Sequence, residues 1–88
     1  MNPPLYVITY RKSVAKELRK LSPVDRVHIV NRILALAANP WPEGAVSLQG
    51  SAGMLRIRQG DYRIIYQVSA SELIVLVVKI GHRREVYR

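Results

Sequence analysis

The hydrophobic period of the chain shifts from two to near four and back to two. From Leu5 to Tyr10, β-branched and aromatic residues follow two prolines, and this predicts a strand. From Ser13 the period lengthens: Val14, Leu18 and Leu21 fall at i, i+4 and i+7, while Lys12, Lys16, Arg19 and Lys20 lie mostly on the other side. That spacing predicts a short amphipathic helix with a basic back. Ser22-Pro23-Val24-Asp25 then reads as an N-cap serine, a proline at the first helical position and an acid near the positive helix end. A second helix is predicted from Pro23 to about Ala38, with Val27, Val30, Ile33, Leu34 and Ala37 as its apolar stripe and Asn39-Pro40 as its stop.

Residues 39–53 hold three of the five glycines and two prolines, and predict a loop. Its Trp41, the only tryptophan, is expected to cover one edge of the core, since nothing around it suggests a platform for a base. Beyond the loop, Leu55 and Ile57 alternate with Arg56 and Arg58. Gly60-Asp61 predicts a tight turn, and Tyr62 to Val68 the second arm of a hairpin. Leu73 to Ile80 is almost wholly apolar, as expected of a central strand buried on both faces, and the tail from Gly81 is expected to turn away and to add a short edge strand or extended segment. The order is β-α-α-β-β-β. The expected fold class is α+β, with a helical hairpin packed on one face of a mainly antiparallel sheet.

Composition adds a size limit and a partner. Eighty-eight residues make one domain, 1–88, with a core small enough that stability is modest. A hydrophobic fraction of 49% argues for a packed interior rather than disorder. Fourteen basic against six acidic residues give a net charge of +8, which implies a polyanionic partner or else a solubilising surface. Ten of the fourteen are arginines, and this tilts the balance toward phosphate or carboxylate recognition. Absence of cysteine excludes a disulfide framework and thiolate metal sites. The start, Met1-Asn2-Pro3-Pro4, lacks the pattern of a secretion leader, and Leu73 to Val78 is too short to cross a bilayer. A cytoplasmic protein without membrane partners is the default expectation.

The arginines on the hairpin carry the chemistry. Arg56 and Arg58 share one strand face, because side chains alternate. If Leu55 and Ile57 pack under the helices together with Tyr62 and Ile64, Arg63 joins the two arginines on the face the helices leave open. Three like charges so close cost stability unless an anion occupies them, and no acid stands at the alternating positions of these strands. Asp61 is explained by turn chemistry. The two histidines, His28 and His82, stand apart from each other and from the scattered acids, so no metal site is expected. There is no glycine-rich phosphate loop and no serine or cysteine nucleophile motif.

Lys16-Glu17-Leu18, Leu48-Gln49-Gly50, Arg56-Ile57-Arg58, residues 60–66 (GDYRIIY) and residues 80–87 (IGHRREVY) together resemble the RelE branch of the RelE/ParE toxin superfamily, in order and over nearly the whole chain. The resemblance implies the toxin of a type II toxin–antitoxin module. Such toxins act without cofactor or metal, entering the ribosomal A site and cutting mRNA there by attack of the RNA 2′-hydroxyl, which leaves a cyclic phosphate. It also implies a cognate antitoxin, acidic or amphipathic and helix-rich, beside the ribosome and mRNA as partners. Carried onto this chain, Arg56 and Arg58 match paired basic positions on a strand, and Arg63 matches the arginine that holds the scissile phosphate. Arg83 matches the residue that stabilises or protonates the leaving oxygen, and Tyr87 the C-terminal tyrosine that orients the substrate nucleotide. Lys12, Lys16, Arg19, Lys20, His82 and Arg84 are the further candidates for RNA contact.

Two departures qualify the likeness. Some relatives carry lysines where this chain has Arg56 and Arg58, and arginine does not give up its proton. The general base is therefore unassigned, with Tyr87, His82 and Glu85 as candidates. Gln49 stands where a basic residue is common. Two alternatives share the fold: a ParE-like inhibitor of DNA gyrase acting by protein binding, and a catalytically weakened module that binds antitoxin or RNA.

Overall fold

The computed structural model describes residues 5–50 and 52–83. Two helices lie on one face of a five-stranded sheet: β1 (Val7–Tyr10), α1 (Lys12–Arg19), α2 (Pro23–Ala35), β2 (Val46–Ser47), β3 (Met54–Gln59), β4 (Tyr62–Ser69) and β5 (Ile74–His82). The strand order is β1-β5-β4-β3-β2, with β1 parallel to β5 and every other pair antiparallel. The expected α+β arrangement is therefore observed, with one strand more than expected. The extra strand, β2, lies inside the predicted loop and covers the outer edge of β3 through Val46 and Ser47. A two-residue strand falls below the length at which alternation can signal it.

The helices form where the caps predict. The Ser22 hydroxyl accepts a hydrogen bond from the Asp25 amide at 3.2 Å, with Pro23 at the first helical position. The buried stripe of α2 differs from the expected one: Ile29, Ile33 and Leu36 enter the core, while Val27 and Leu34 are more than half exposed. Apolar residues stand on more than one side of this segment, so two stripes with helical spacing coexist in it. Arg26 selects between them. Its guanidinium donates to the Leu18, Arg19 and Leu21 carbonyls at 3.0, 3.3 and 3.0 Å, satisfying the C-terminal end of α1 and fixing the rotation of α2 against it. The helix ends three residues earlier than predicted, and successive i→i+3 bonds from Leu36, Ala37 and Ala38 tighten the chain ahead of Pro40.

The core consists of Val14, Leu21, Ile29, Ile33 and Leu36 from the helical layer against Leu55, Ile57, Ile64, Tyr66, Val75, Val77 and Ile80 from the sheet. Tyr66 is wholly buried and donates its hydroxyl to the Pro40 carbonyl at 2.7 Å, anchoring the chain that leaves α2. Burial holds this phenol neutral, with its pKa pushed up to about 12. Trp41 is half exposed and meets the Tyr6 ring edge-on at 5.9 Å, so it covers the rim of the core rather than filling it.

Strand β5 is central, as predicted, but the helices cover only one of its faces. Ile74, Leu76 and Val78 are half-buried and Lys79 is exposed. A register shift opposite Ile65 and Tyr66 places Val77 and Ile80 on the covered face despite their odd spacing. Gly81 and His82 continue the strand instead of turning away. Because β1 ends at Tyr10, the outer edge of β5 beyond Val77 has no partner strand among the described residues, and α1 lies along it. The Glu17 carboxylate accepts from the Ile80 amide at 3.0 Å and pairs with Lys79 at 3.5 Å, closing an edge that would otherwise be open.

Candidate functional site

The site grows out of the β3–β4 register. Ile57 lies opposite Ile64, and one step further Arg58 lies opposite Arg63. Since Leu55, Ile57, Ile64 and Tyr66 all enter the core, alternation sends Arg56, Arg58 and Arg63 to the face without helices. On β5, Arg63 is opposite Gly81. Gly81 is itself buried. The turn closes through Gly60 at φ +61°, a conformation glycine adopts without strain. The Arg83 amide then donates to the Asp61 carbonyl at 2.8 Å, which holds the start of the tail against the same turn. Four arginines from three segments are thus brought to one end of one face.

Arg63 is the unusual member. It is only 8% exposed, and it is the one buried charged residue among those described. Its Nε and Nη1 have no hydrogen-bond partner among the described residues. Its pKa is lowered from the ordinary arginine value, first by burial and then by Arg58, Arg56 and Arg83, with Asp61 acting in the opposite direction. The guanidinium keeps its proton at neutral pH, so the result is a fixed, poorly solvated positive charge with donors to spare. Buried charge without partners is expensive in an empty site and favourable when an anion supplies the acceptors.

The remaining predicted residues separate into groups. Lys12, Lys16 and Arg19 of α1 and Lys20 just past its end are all exposed, while Val14 and the following Leu21 face the core. None of them is among the charges acting on Arg63. His82 pairs with Tyr62 across β4–β5, on the helix-covered face, and meets its ring edge-on at 5.9 Å. Tyr87, Arg84 and Glu85 lie outside the described residues. Two features were missed by sequence reasoning. The burial of Arg63 is a tertiary property: on the same strand and face Ile65 is half-buried and Gln67 exposed, so alternation alone does not foretell it. Sequence reasoning gave Glu17 no structural role, whereas its carboxylate accepts from the Ile80 amide where β1 has ended.

Comparison with known proteins adds a family to this geometry. The family of ParE toxins of type II toxin–antitoxin systems (parDE) matches residues 8–87. The chain belongs to the RelE/ParE superfamily of such toxins. Among curated relatives it is 29% identical over 86 residues to the mRNA interferase toxin RelE of Escherichia coli, covering 93% of this chain and 90% of that protein. It is 25% identical over 84 residues to toxin RelG of Mycobacterium tuberculosis, with 94% and 97% covered. The archaeal RelE of Pyrococcus horikoshii, solved in complex with RelB, superimposes with a TM-score of 0.82 at 25% identity, over 93% of this chain and 99% of that one. The RelE/ParE toxin fold accounts for the two helices packed on one face of the five-stranded sheet.

Proposed function

We propose that this RelE/ParE-superfamily toxin is a ribosome-dependent, metal-independent mRNA endoribonuclease that cuts in the A site. The observation that carries the reading is the buried Arg63 guanidinium, with two donor nitrogens unpartnered among the described residues and Arg56, Arg58 and Arg83 around it. In the reaction the RNA 2′-oxygen passes its proton to solvent water and attacks the adjacent phosphorus. The bond to the 5′-oxygen breaks, and that oxygen takes a proton from water, leaving a 2′,3′-cyclic phosphate. Negative charge accumulates on the phosphoryl oxygens in the transition state. Preorganised guanidiniums stabilise it more than the ground state, and that difference is what accelerates the step. Arg63 holds a non-bridging oxygen, Arg56 and Arg58 neutralise the attacking side, and Arg83 donates to the leaving oxygen. Tyr87 orients the substrate nucleotide. An arginine set does not remove the 2′-proton, so in this reading the geometry of the bound RNA and charge stabilisation carry the rate.

The relative named mRNA interferase toxin RelE supports the reaction class, and the RelE–RelB complexes among similar structures support a cognate antitoxin that covers the basic face between bouts of activity. The test is to incubate the protein with programmed ribosomes and map the mRNA ends. Cuts within the A-site codon are expected from the wild type and not from an Arg63→Ala, Arg83→Ala double variant. Undiminished cutting by that variant refutes the assignment. The name of the matching family motivates one competing reading, inhibition of DNA gyrase by protein binding. A supercoiling assay separates the two, because gyrase inhibition with mRNA left intact reverses the conclusion.

A further inference from the structure

On the helix side of the same hairpin end is a cavity of about 310 Å³, lined by Asp25 and His28 of α2, Gln59 and Asp61 at the turn, and the Tyr62 and His82 rings. This volume lies at the small end of ligand sites, suited to one planar group rather than a large ligand. Its lining alternates with the arginine cluster residue by residue. Gln59 follows Arg58, Asp61 and Tyr62 precede Arg63, and His82 precedes Arg83. The cavity and the arginines thus lie on opposite faces of the sheet at the same hairpin end, and a polymer whose phosphate rests on the arginines reaches the cavity by passing around the rim of the turn.

We infer that the cavity is a nucleobase subsite, taking one unstacked base of the RNA and preferring bases that carry an amino group. The inference rests on the RNA-cutting reading above and extends it to sequence preference. The chemistry narrows the ligand by elimination. Two carboxylates disfavour a phosphate or any other anion. The surrounding field, with Arg58 and Arg83 beside the turn and Lys20 just past α1, disfavours a cationic side chain of a protein partner. The acids and imidazoles do not converge on a metal-binding set among the described residues. A neutral, planar, hydrogen-bonding group escapes all three penalties. Tyr62 and His82 supply ring surface, set edge-to-face at 5.9 Å, on which a flipped base stacks. Asp25 and Asp61 accept N–H bonds, and Gln59 both donates and accepts. Adenine, cytosine and guanine each present a two-hydrogen amino group that can serve both carboxylates, whereas uracil offers only its single N3–H between two carbonyls that the acids repel, so uracil is the base discriminated against.

The test titrates isotope-labelled full-length protein with trinucleotides carrying a 2′-deoxy sugar at the scissile position, so that binding is read without cleavage. The base on either side of that position is varied through all four. The expected result is base-dependent NMR shifts at His28, Asp25 and Gln59, with roughly tenfold weaker binding when uracil occupies the responding position. Asp25→Asn and, independently, Gln59→Ala are expected to flatten that preference while leaving the salt-sensitive binding common to all trinucleotides. Equal shifts for all four bases, or shifts confined to the arginine face, overturn the subsite. So does an arginine-rich peptide that perturbs the cavity residues when RNA does not, which would make it a protein contact. If base-dependent binding is found but programmed ribosomes yield no cut mRNA, the nuclease reading fails and the subsite stands as part of an RNA-binding module.

Discussion

The two faces of the β3–β4 hairpin are made by the same strands in the same register, yet they obey opposite rules. On the covered face Ile57 and Ile64 are fully buried opposite each other, and each contact lowers the free energy of folding. On the open face, one step along, Arg58 and Arg63 are opposite each other, and the buried Arg63 has no partner for Nε or Nη1 among the described residues. The first arrangement is optimal for a folded chain alone. The second is not. A sheet that keeps charge of one sign at neighbouring positions gives up stability, and the natural compensation is an anion delivered from outside. The comparison separates what holds the molecule together from what it is built to hold, across the thickness of a single sheet.

The sharpest way to break this contrast is Arg63→Met, which keeps the volume and removes the charge. Cleavage in the ribosome assay should fall roughly 10²–10³-fold, while the urea midpoint should hold or rise, because a buried unpaired charge is replaced by an apolar chain. A clear loss of stability would mean that Arg63 serves the fold. The mirror experiment is Ile64→Ala, one residue along and facing the other way. It should cost about 3 kcal/mol in denaturant unfolding through the cavity it leaves.

Smaller effects test the edges of the comparison. Glu17→Ala strips the Ile80 amide of its acceptor and should destabilise by about 2 kcal/mol, with the greatest rise in amide exchange at the end of β5. Uniform exchange across the sheet would argue against edge capping by Glu17. Tyr66→Phe should cost about 1 kcal/mol near neutral pH through the lost bond to Pro40. It should also change the alkaline limb. With the folded pKa at about 12 against an ordinary 10.0, the unfolded chain loses the phenolic proton first, so wild-type stability declines as pH rises from the lower value toward the higher. The phenylalanine variant should lack that part of the decline. Least of all, Lys16→Ala on the back of α1 should lower the slope of RNA binding against log salt by about 1 and alter cleavage less than about twofold.

Much of this architecture was legible because its signals are local. Ser22-Pro23 with Asp25 announced the start of α2, Gly60-Asp61 announced the hairpin, and alternation across Leu55 to Arg58 announced which residues would share a face. The errors have physical reasons as well. In α2 the expected stripe of Val27, Val30, Ile33, Leu34 and Ala37 caught Ile33 but missed Ile29 and Leu36, because apolar residues stand on more than one side of the helix and the Arg26 clasp on the end of α1 is a tertiary contact. In β5 an unbroken apolar run suggested two covered faces, whereas the helices number two and cover one. The cavity that joins Asp25 and His28 to Asp61 and His82 was invisible in sequence, since its walls are more than thirty residues apart.

For this protein, then, the order of residues alone determined the elements, the pairing of the hairpin arms and the collection of Arg56, Arg58 and Arg63 on one side, because turn chemistry and two-residue alternation act over a few bonds. The tertiary structure decided which side the helices cover, how deeply Arg63 is buried, and that its guanidinium is short of partners among the described residues. Burial and desolvation depend on what distant segments pack overhead, and no local pattern encodes that.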